Sequence, residues 1–177
     1  MKNILKEILN TSLYILLVLV ITFLIVKYVG VRVEVVGPSM QPTLQSGENL
    51  IVEKLSYHFK EPRRFDIIVF PFKHEEKTNY IKRIIGLPGE KVQIDGEGNI
   101  YIDGEILNEH YGKEVIENPG IAAEPVYLAD DEYFVMGDNR NNSSDSRCES
   151  VGNIKKKDII GRAWIRIWPF SRWGSLN

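Results

Sequence analysis

The chain of 177 residues has a single cysteine, Cys148, which excludes an internal disulfide, a Cys-based metal site and a disulfide-stapled scaffold. Its three histidines, His58, His74 and His110, are scattered without the close spacings of metal ligands, so no metal site is expected. Charge of one sign is also missing. Lys plus Arg total 22 against 24 Asp plus Glu, and the net charge of -2 gives no electrostatic reason to expect a nucleic-acid partner. There are no heptads and no internal repeat, and beyond the N-terminal segment no 3.6-residue periodicity lasts more than about two turns. Stability must then come from burial among short elements of another kind.

What is present begins with LYILLVLVITFLIV at 13–26, interrupted only by Tyr14 and Thr22. About 20 apolar residues match a hydrocarbon core of roughly 30 Å, so 11–29 is expected to span a bilayer, with 1–10 as a short tail and 30–177 as the folded part. A cleaved secretory signal would need an A-x-A-like site after its apolar core, and KYVGVRVEVVG follows instead. Orientation is not set by charge, because Lys2 and Lys6 precede the span while Lys27 and Arg32 follow it.

The remainder reads as β structure. Runs rich in Val, Ile, Phe, Tyr and Trp at 31–36, 49–55, 66–72, 79–85, 91–94, 100–102, 132–136 and 159–167 are separated by turn-forming groups such as Leu87-Pro88-Gly89, Asp95-Gly96-Glu97-Gly98 and Asp103-Gly104. Residues 108–130 carry Pro119-Gly120 and Pro125 without periodicity, and are expected to be a loop-like excursion rather than a second core. The fold class is therefore mainly β: an antiparallel barrel or sandwich preceded by one transmembrane helix. The aromatic run Trp164, Trp168, Phe170 and Trp173 fits either an interface patch or the packing of a last strand.

Two stretches carry chemistry. In Gly37-Pro38-Ser39-Met40-Gln41-Pro42-Thr43-Leu44, glycine frees the backbone and proline fixes φ, so Ser39 is presented on a constrained turn whose N–H groups can face a developing oxyanion. In Tyr80-Ile81-Lys82-Arg83, alternation puts Lys82 on one strand face with Tyr80 and Ile84. A hydroxyl attacks only when a base takes its proton, and a lysine serves only if burial lowers its pKa from about 10.4. Ser39 alone is equally an ordinary turn serine, and Lys82 a strand lysine reaching solvent. A histidine could replace the lysine as base without any burial. A third segment, Gly137-Asp138-Asn139-Arg140-Asn141-Asn142-Ser143-Ser144-Asp145-Ser146-Arg147, follows an apolar strand and is dense in hydrogen-bonding groups: either a solvated loop or one in which Ser143 or a neighbour orients the amine.

Taken together, the span and four ordered stretches resemble the bacterial type I signal peptidases of the Gram-positive kind, a family of membrane-anchored serine–lysine peptidases. The stretches are Pro38-Ser39-Met40 with Pro42-Thr43-Leu44, Arg64-Phe65-Asp66-Ile67-Ile68-Val69-Phe70, 80–90, and Gly137-Asp138-Asn139-Arg140 with Asn142-Ser143 and Asp145-Ser146-Arg147. The resemblance implies Ser39 as nucleophile, Lys82 as general base and Ser143 as the serine that orients the lysine. It implies support from Asp145 with Arg147 and from Asp138 with Arg83. It implies that apolar walls formed by Val35, Met40, Leu44, Val69, Tyr80 and Ile81 accept small side chains of a preprotein signal peptide. No cofactor is implied; the partners are the preprotein and the lipid bilayer, with the N-terminus cytoplasmic and the catalytic part outside. Some relatives carry a serine where Gly37 stands here, which leaves the Ser39 N–H as the oxyanion donor in hand. Two rivals remain: a self-cleaving repressor-type serine–lysine peptidase, which predicts a soluble or DNA-binding N-terminal part, and a non-catalytic anchored β domain.

Overall fold

The structure, a computed structural model, describes residues 2–24, 30–73, 75 and 78–176. His74, Lys27, Val29 and the last five residues of the expected span lie outside that description. The N-terminal helix α1, Lys2–Leu24, includes a segment Lys6–Leu24 of mean hydropathy 2.1. At about 1.5 Å per residue its 19 residues cover roughly the thickness of a hydrocarbon core. Side chains from Lys6 to Leu24 are all exposed. The helix begins earlier than the apolar run, so much of the expected tail 1–10 is helical too.

Beyond α1 the protein is antiparallel β structure in two sheets. The strands are β1 (Gly30–Glu34), β2 (Asn49–Glu53), β3 (Ile67–Pro71), β4 (Asn79–Gly86), β5 (Lys91–Ile94), β6 (Ile100–Ile102), β7 (Glu105–Ile106), β8 (Val126–Tyr127), β9 (Glu132–Met136), β10 (Ile154–Lys155), β11 (Gly161–Trp168) and β12 (Gly174–Ser175). The large sheet runs β1-β2-β11-β3-β4-β9-β10, with β12 on β11; the small one runs β7-β6-β5-β8. A single turn of helix, α2 (Ser56–Phe59), joins β2 to β3. Every strand expected from the sequence is present to within a few residues. Those not expected are two-residue pairings that alternation cannot signal.

Alternation along β3 sends Ile67 and Val69 to one face and Ile68 and Phe70 to the other, and each face has its own apolar cluster. Ile67 and Val69 pack with Val35, Met40, Leu44, Leu50, Val52 and Ile81. Ile68 and Phe70 pack with Ile84, Tyr133, Val135 and Ile154. A third cluster joins the two sheets and contains Ile85, Val92, Ile94, Ile100, Phe134 and Met136. Ile116, Ala122 and Leu128 also belong to it, and Val126–Tyr127 pairs with β5. The stretch 108–130 is thus more than a loop: it is irregular, which hides it from a periodicity test, but its apolar side chains close the small sheet's core. At the C-terminus Trp164, Trp168, Phe170 and Trp173 are all at least 42% exposed, so packing of a last strand does not account for them.

Candidate active site

After β1 the chain turns at Gly37, whose φ of 89° is the left-handed conformation that glycine adopts without a Cβ penalty. The turn that follows is closed by Gln41 N–H to the Pro38 carbonyl (3.0 Å) and Leu44 N–H to the Met40 carbonyl (2.8 Å), with Met40 and Leu44 plugged into the apolar cluster below. Ser39 rides on this turn. Its carbonyl accepts the Asn139 N–H (3.0 Å), and Asn139 Nδ2 donates to the Pro38 carbonyl (3.2 Å), so the polar loop 137–147 holds the turn from outside. The Ser39 N–H makes no hydrogen bond to another described residue. Gly137 allows this approach: a Cβ there would collide with the Ser39 carbonyl and the Ser143 side chain.

Lys82 comes from β4, opposite Ile68 of β3. Its Nζ donates to Ser39 Oγ at 3.0 Å and to the Ile81 carbonyl at 3.1 Å, and lies 4.8 Å from the centre of the Tyr80 ring. The residue is 4% exposed. Burial lowers its pKa from 10.5 to about 8, the Asp145 and Asp138 carboxylates acting in the opposite direction. At pH 7 about a tenth of the amine is then neutral, against well under a thousandth for a solvated lysine.

Two buried ion pairs brace this centre. Arg83 is bidentate on Asp138, with Nε to Oδ1 at 2.8 Å and Nη2 to Oδ2 at 2.7 Å, while its Nη1 donates to the Phe65 carbonyl (2.9 Å) and its guanidinium stacks 3.7 Å from the Tyr111 ring centre. Thr43 donates its hydroxyl to the same Asp138 (2.5 Å), tying the serine turn to the lysine strand. Arg147 is bidentate on Asp145 at 2.8 Å through both nitrogens, and Asp145 accepts the Gly137 N–H at 3.0 Å. Both carboxylates are fully shielded, each paired with an arginine and bonded by further donors.

The pair opens onto a cleft of about 550 Å³ lined by 33–40 on one side, Thr78 to Lys82 on the other, and Ser144. Both sides are strand edges with no strand partner across the cleft among the described residues. β1 is the terminal strand of its sheet, and β4 pairs with β9 only from Arg83 onward, leaving 79–82 bonded to β3 alone. Val35, Met40, Tyr80 and Ile81 line the cleft. Leu44 and Val69 lie fully buried in the cluster beneath, packed behind Val35, Met40 and Ile81.

Ser143 also departs from expectation. Its Oγ is buried without a hydrogen-bond partner among the described residues, in the space left by the missing Gly137 side chain, and the amine's hydrogen bonds go to Ser39 and the Ile81 carbonyl. The loop residue that lines the cleft is its neighbour Ser144. Among the described histidines, His58 and His110 are exposed and neither lines the cleft. No group of three or more His, Cys, Asp or Glu suited to a metal occurs among the described residues. Sequence reasoning assigned no role to Thr43, Asn139, Tyr111 or the Ile81 carbonyl. The first two sit in motifs that were singled out, whereas Tyr111 and a main-chain oxygen leave no trace in a pattern of residue types.

A family model for signal peptidases, peptidase S26, matches residues 8–168. The chain is 43% identical over 144 residues to "Probable signal peptidase I-2" of Synechocystis sp., an alignment covering 78% of this chain and 63% of that relative. It is 46% identical over 146 residues to "Signal peptidase I" of Leptolyngbya laminosa, covering 78% and 69%. A crystal structure of a signal peptidase I from Enterococcus faecalis V583 aligns with 58% of this chain and 97% of its own at 34% identity, with a TM-score of 0.46. The chain thus spans 63% of the length of the first of these relatives.

Proposed function

Because the chain belongs to the signal peptidase family, peptidase S26, we propose that it is a membrane-anchored serine endopeptidase that removes signal peptides from exported preproteins by a serine–lysine pair. The observation that carries the reading is the 3.0 Å contact between Ser39 Oγ and a buried Lys82 amine at the floor of a cleft with two open strand edges.

The preprotein enters extended and adds as a strand between 33–36 and 79–81, where main-chain hydrogen bonds give affinity without regard to sequence. Side chains pointing down meet Val35, Met40, Tyr80 and Ile81, which leave room only for small residues. Neutral Lys82 takes the Ser39 proton as Oγ attacks the carbonyl. The Ser39 N–H receives the oxyanion, and Gly37 contributes no side-chain donor. The ammonium so formed then protonates the leaving amine. An acyl-enzyme remains on Ser39, and a water activated by the same amine hydrolyses it. The Ile81 carbonyl keeps the amine aimed throughout. Helix α1 crosses the membrane once, with its N-terminus in the cytoplasm, and holds the cleft on the outer side where translocated signal peptides emerge.

The test is incubation of the detergent-solubilised protein with a preprotein. Cleavage after a small residue is expected from wild type and from His58→Ala and His110→Ala, and from neither Ser39→Ala nor Lys82→Met. Retained cleavage by folded Ser39→Ala would remove the reading, and a protein that cleaves nothing would favour an anchored binding module.

A further inference from the structure

Thr43 lies four residues beyond Ser39 and is held at both ends. Its hydroxyl belongs to the Asp138–Arg83 pair already described. Its carbonyl accepts two hydrogen bonds from the opposite end of the chain, Arg166 Nη1 at 3.0 Å and Arg172 Nη2 at 3.2 Å. Both arginines converge on one carboxylate: Arg166 Nη1 donates to Glu48 Oε2 at 2.9 Å, and Arg172 Nη1 is 2.7 Å from Glu48 Oε1. Glu48 is 3% exposed and precedes β2, and its own carbonyl accepts the Val35 N–H at 2.8 Å. Arg166 is fixed by a further bond, Nε to the Arg172 carbonyl at 2.6 Å, across the reversal between β11 and β12.

Burying a carboxylate costs far more than leaving it in water unless charged donors surround it. A buried carboxylate that holds two guanidiniums, both donating to a single main-chain oxygen, is an expensive arrangement that core packing does not call for. That oxygen belongs to the turn which sets where Ser39 Oγ sits relative to the amine, and reaction rates fall steeply when reacting atoms drift by an ångström.

We propose that Glu48, Arg166 and Arg172 form a clamp that fixes the nucleophile turn through the Thr43 carbonyl, making them positioning residues for the Ser39–Lys82 pair. The proposal rests on the reading of that pair as catalytic. None of the three lines the cleft, so substrate binding should not depend on them.

Full-length protein in detergent is compared as wild type, Arg172→Ala, Arg172→Lys and Glu48→Gln. The measurements are kcat and KM on a preprotein, the pH profile, and amide hydrogen exchange at Gln41 and Leu44, whose N–H bonds close the turn. Expected in Arg172→Ala and Glu48→Gln is a loss of kcat of tenfold or more with KM within twofold, a pH midpoint still near that of wild type, and exchange at Gln41 and Leu44 at least tenfold faster. Arg172→Lys should recover most of kcat. The clamp is refuted by kcat within twofold of wild type in the folded variants, by a change confined to KM, or by a loss of kcat with exchange at the turn unchanged. Should one variant not fold, the other decides. Should wild type itself cleave nothing, the catalytic reading fails, and faster or unchanged exchange still tells whether the clamp holds the turn.

Discussion

Replacing Lys82 by methionine should abolish cleavage and yet stabilise the protein at neutral pH. Folding lowers the amine's pKa from 10.5 to about 8 through burial. At about 1.4 kcal/mol for each tenfold in proton affinity, the folded state gives up roughly 3 kcal/mol wherever the unfolded chain holds that proton and the fold resists it. The penalty is present in full below pH 8, shrinks as pH rises from 8 towards 10.5, and is absent above. Methionine has similar length and no charge, so it removes the penalty and fills most of the space. Against this, the Ile81 carbonyl loses its donor at a cost of about 1 kcal/mol, whereas Ser39 Oγ can turn to water in the cleft. The balance is roughly 2 kcal/mol in favour of Lys82→Met at pH 7, or a Tm higher by about 4–8 °C for a domain of this size. Thermal unfolding in detergent at pH 7 and pH 10 measures it. A variant no more stable than wild type at pH 7, or one whose advantage is the same at both pH values, would show that the buried lysine carries no such penalty.

Asp138→Asn leaves the Arg83 guanidinium buried without its counter-charge and loosens Thr43, so stability should fall by about 3–5 kcal/mol, read as a drop in denaturation midpoint, and cleavage should fall with it. Gly137→Ala puts a methyl group against the Ser39 carbonyl and Ser143, and should depress kcat by at least tenfold in a protein that still folds, measured against preprotein. Ile81→Ala enlarges the cleft wall and should admit valine or leucine before the cut, detectable by mass spectrometry of products from a preprotein series, at a stability cost of about 2–5 kcal/mol.

The strands were legible because β-branched runs separated by glycine and proline turns leave few other folds open; alternation gave Lys82 the apolar company of Tyr80 and Ile84 but left open whether its amine reached solvent. The contribution of 108–130 to the core was not legible, since Ile116, Ala122 and Leu128 are spaced by no regular period. Of the expected cleft walls, Leu44 and Val69 lie in the cluster beneath the cleft, because hydrophobicity marks a residue as buried without telling how near an opening it sits. Ser143 could be placed beside the pair but not aimed, because its direction depends on one side-chain torsion and on the space at Gly137. The clamp of Glu48 with Arg166 and Arg172 was invisible for a different reason. Glu48 lies 118 residues before Arg166 and farther still before Arg172, and an acid so far along the chain from two arginines reads as solvated surface until the fold brings them together.

One measurement bears most directly on Lys82 as the base for Ser39: the rate of Ser39 acylation by a serine-reactive acylating probe, followed from pH 6 to 10 in detergent. A neutral amine in short supply predicts a rise of about tenfold per pH unit up to a midpoint near 8, then a plateau, and loss of the whole curve in Lys82→Met. A rate that stays level across the range, or a curve that survives the methionine substitution, would mean that some other group takes the proton.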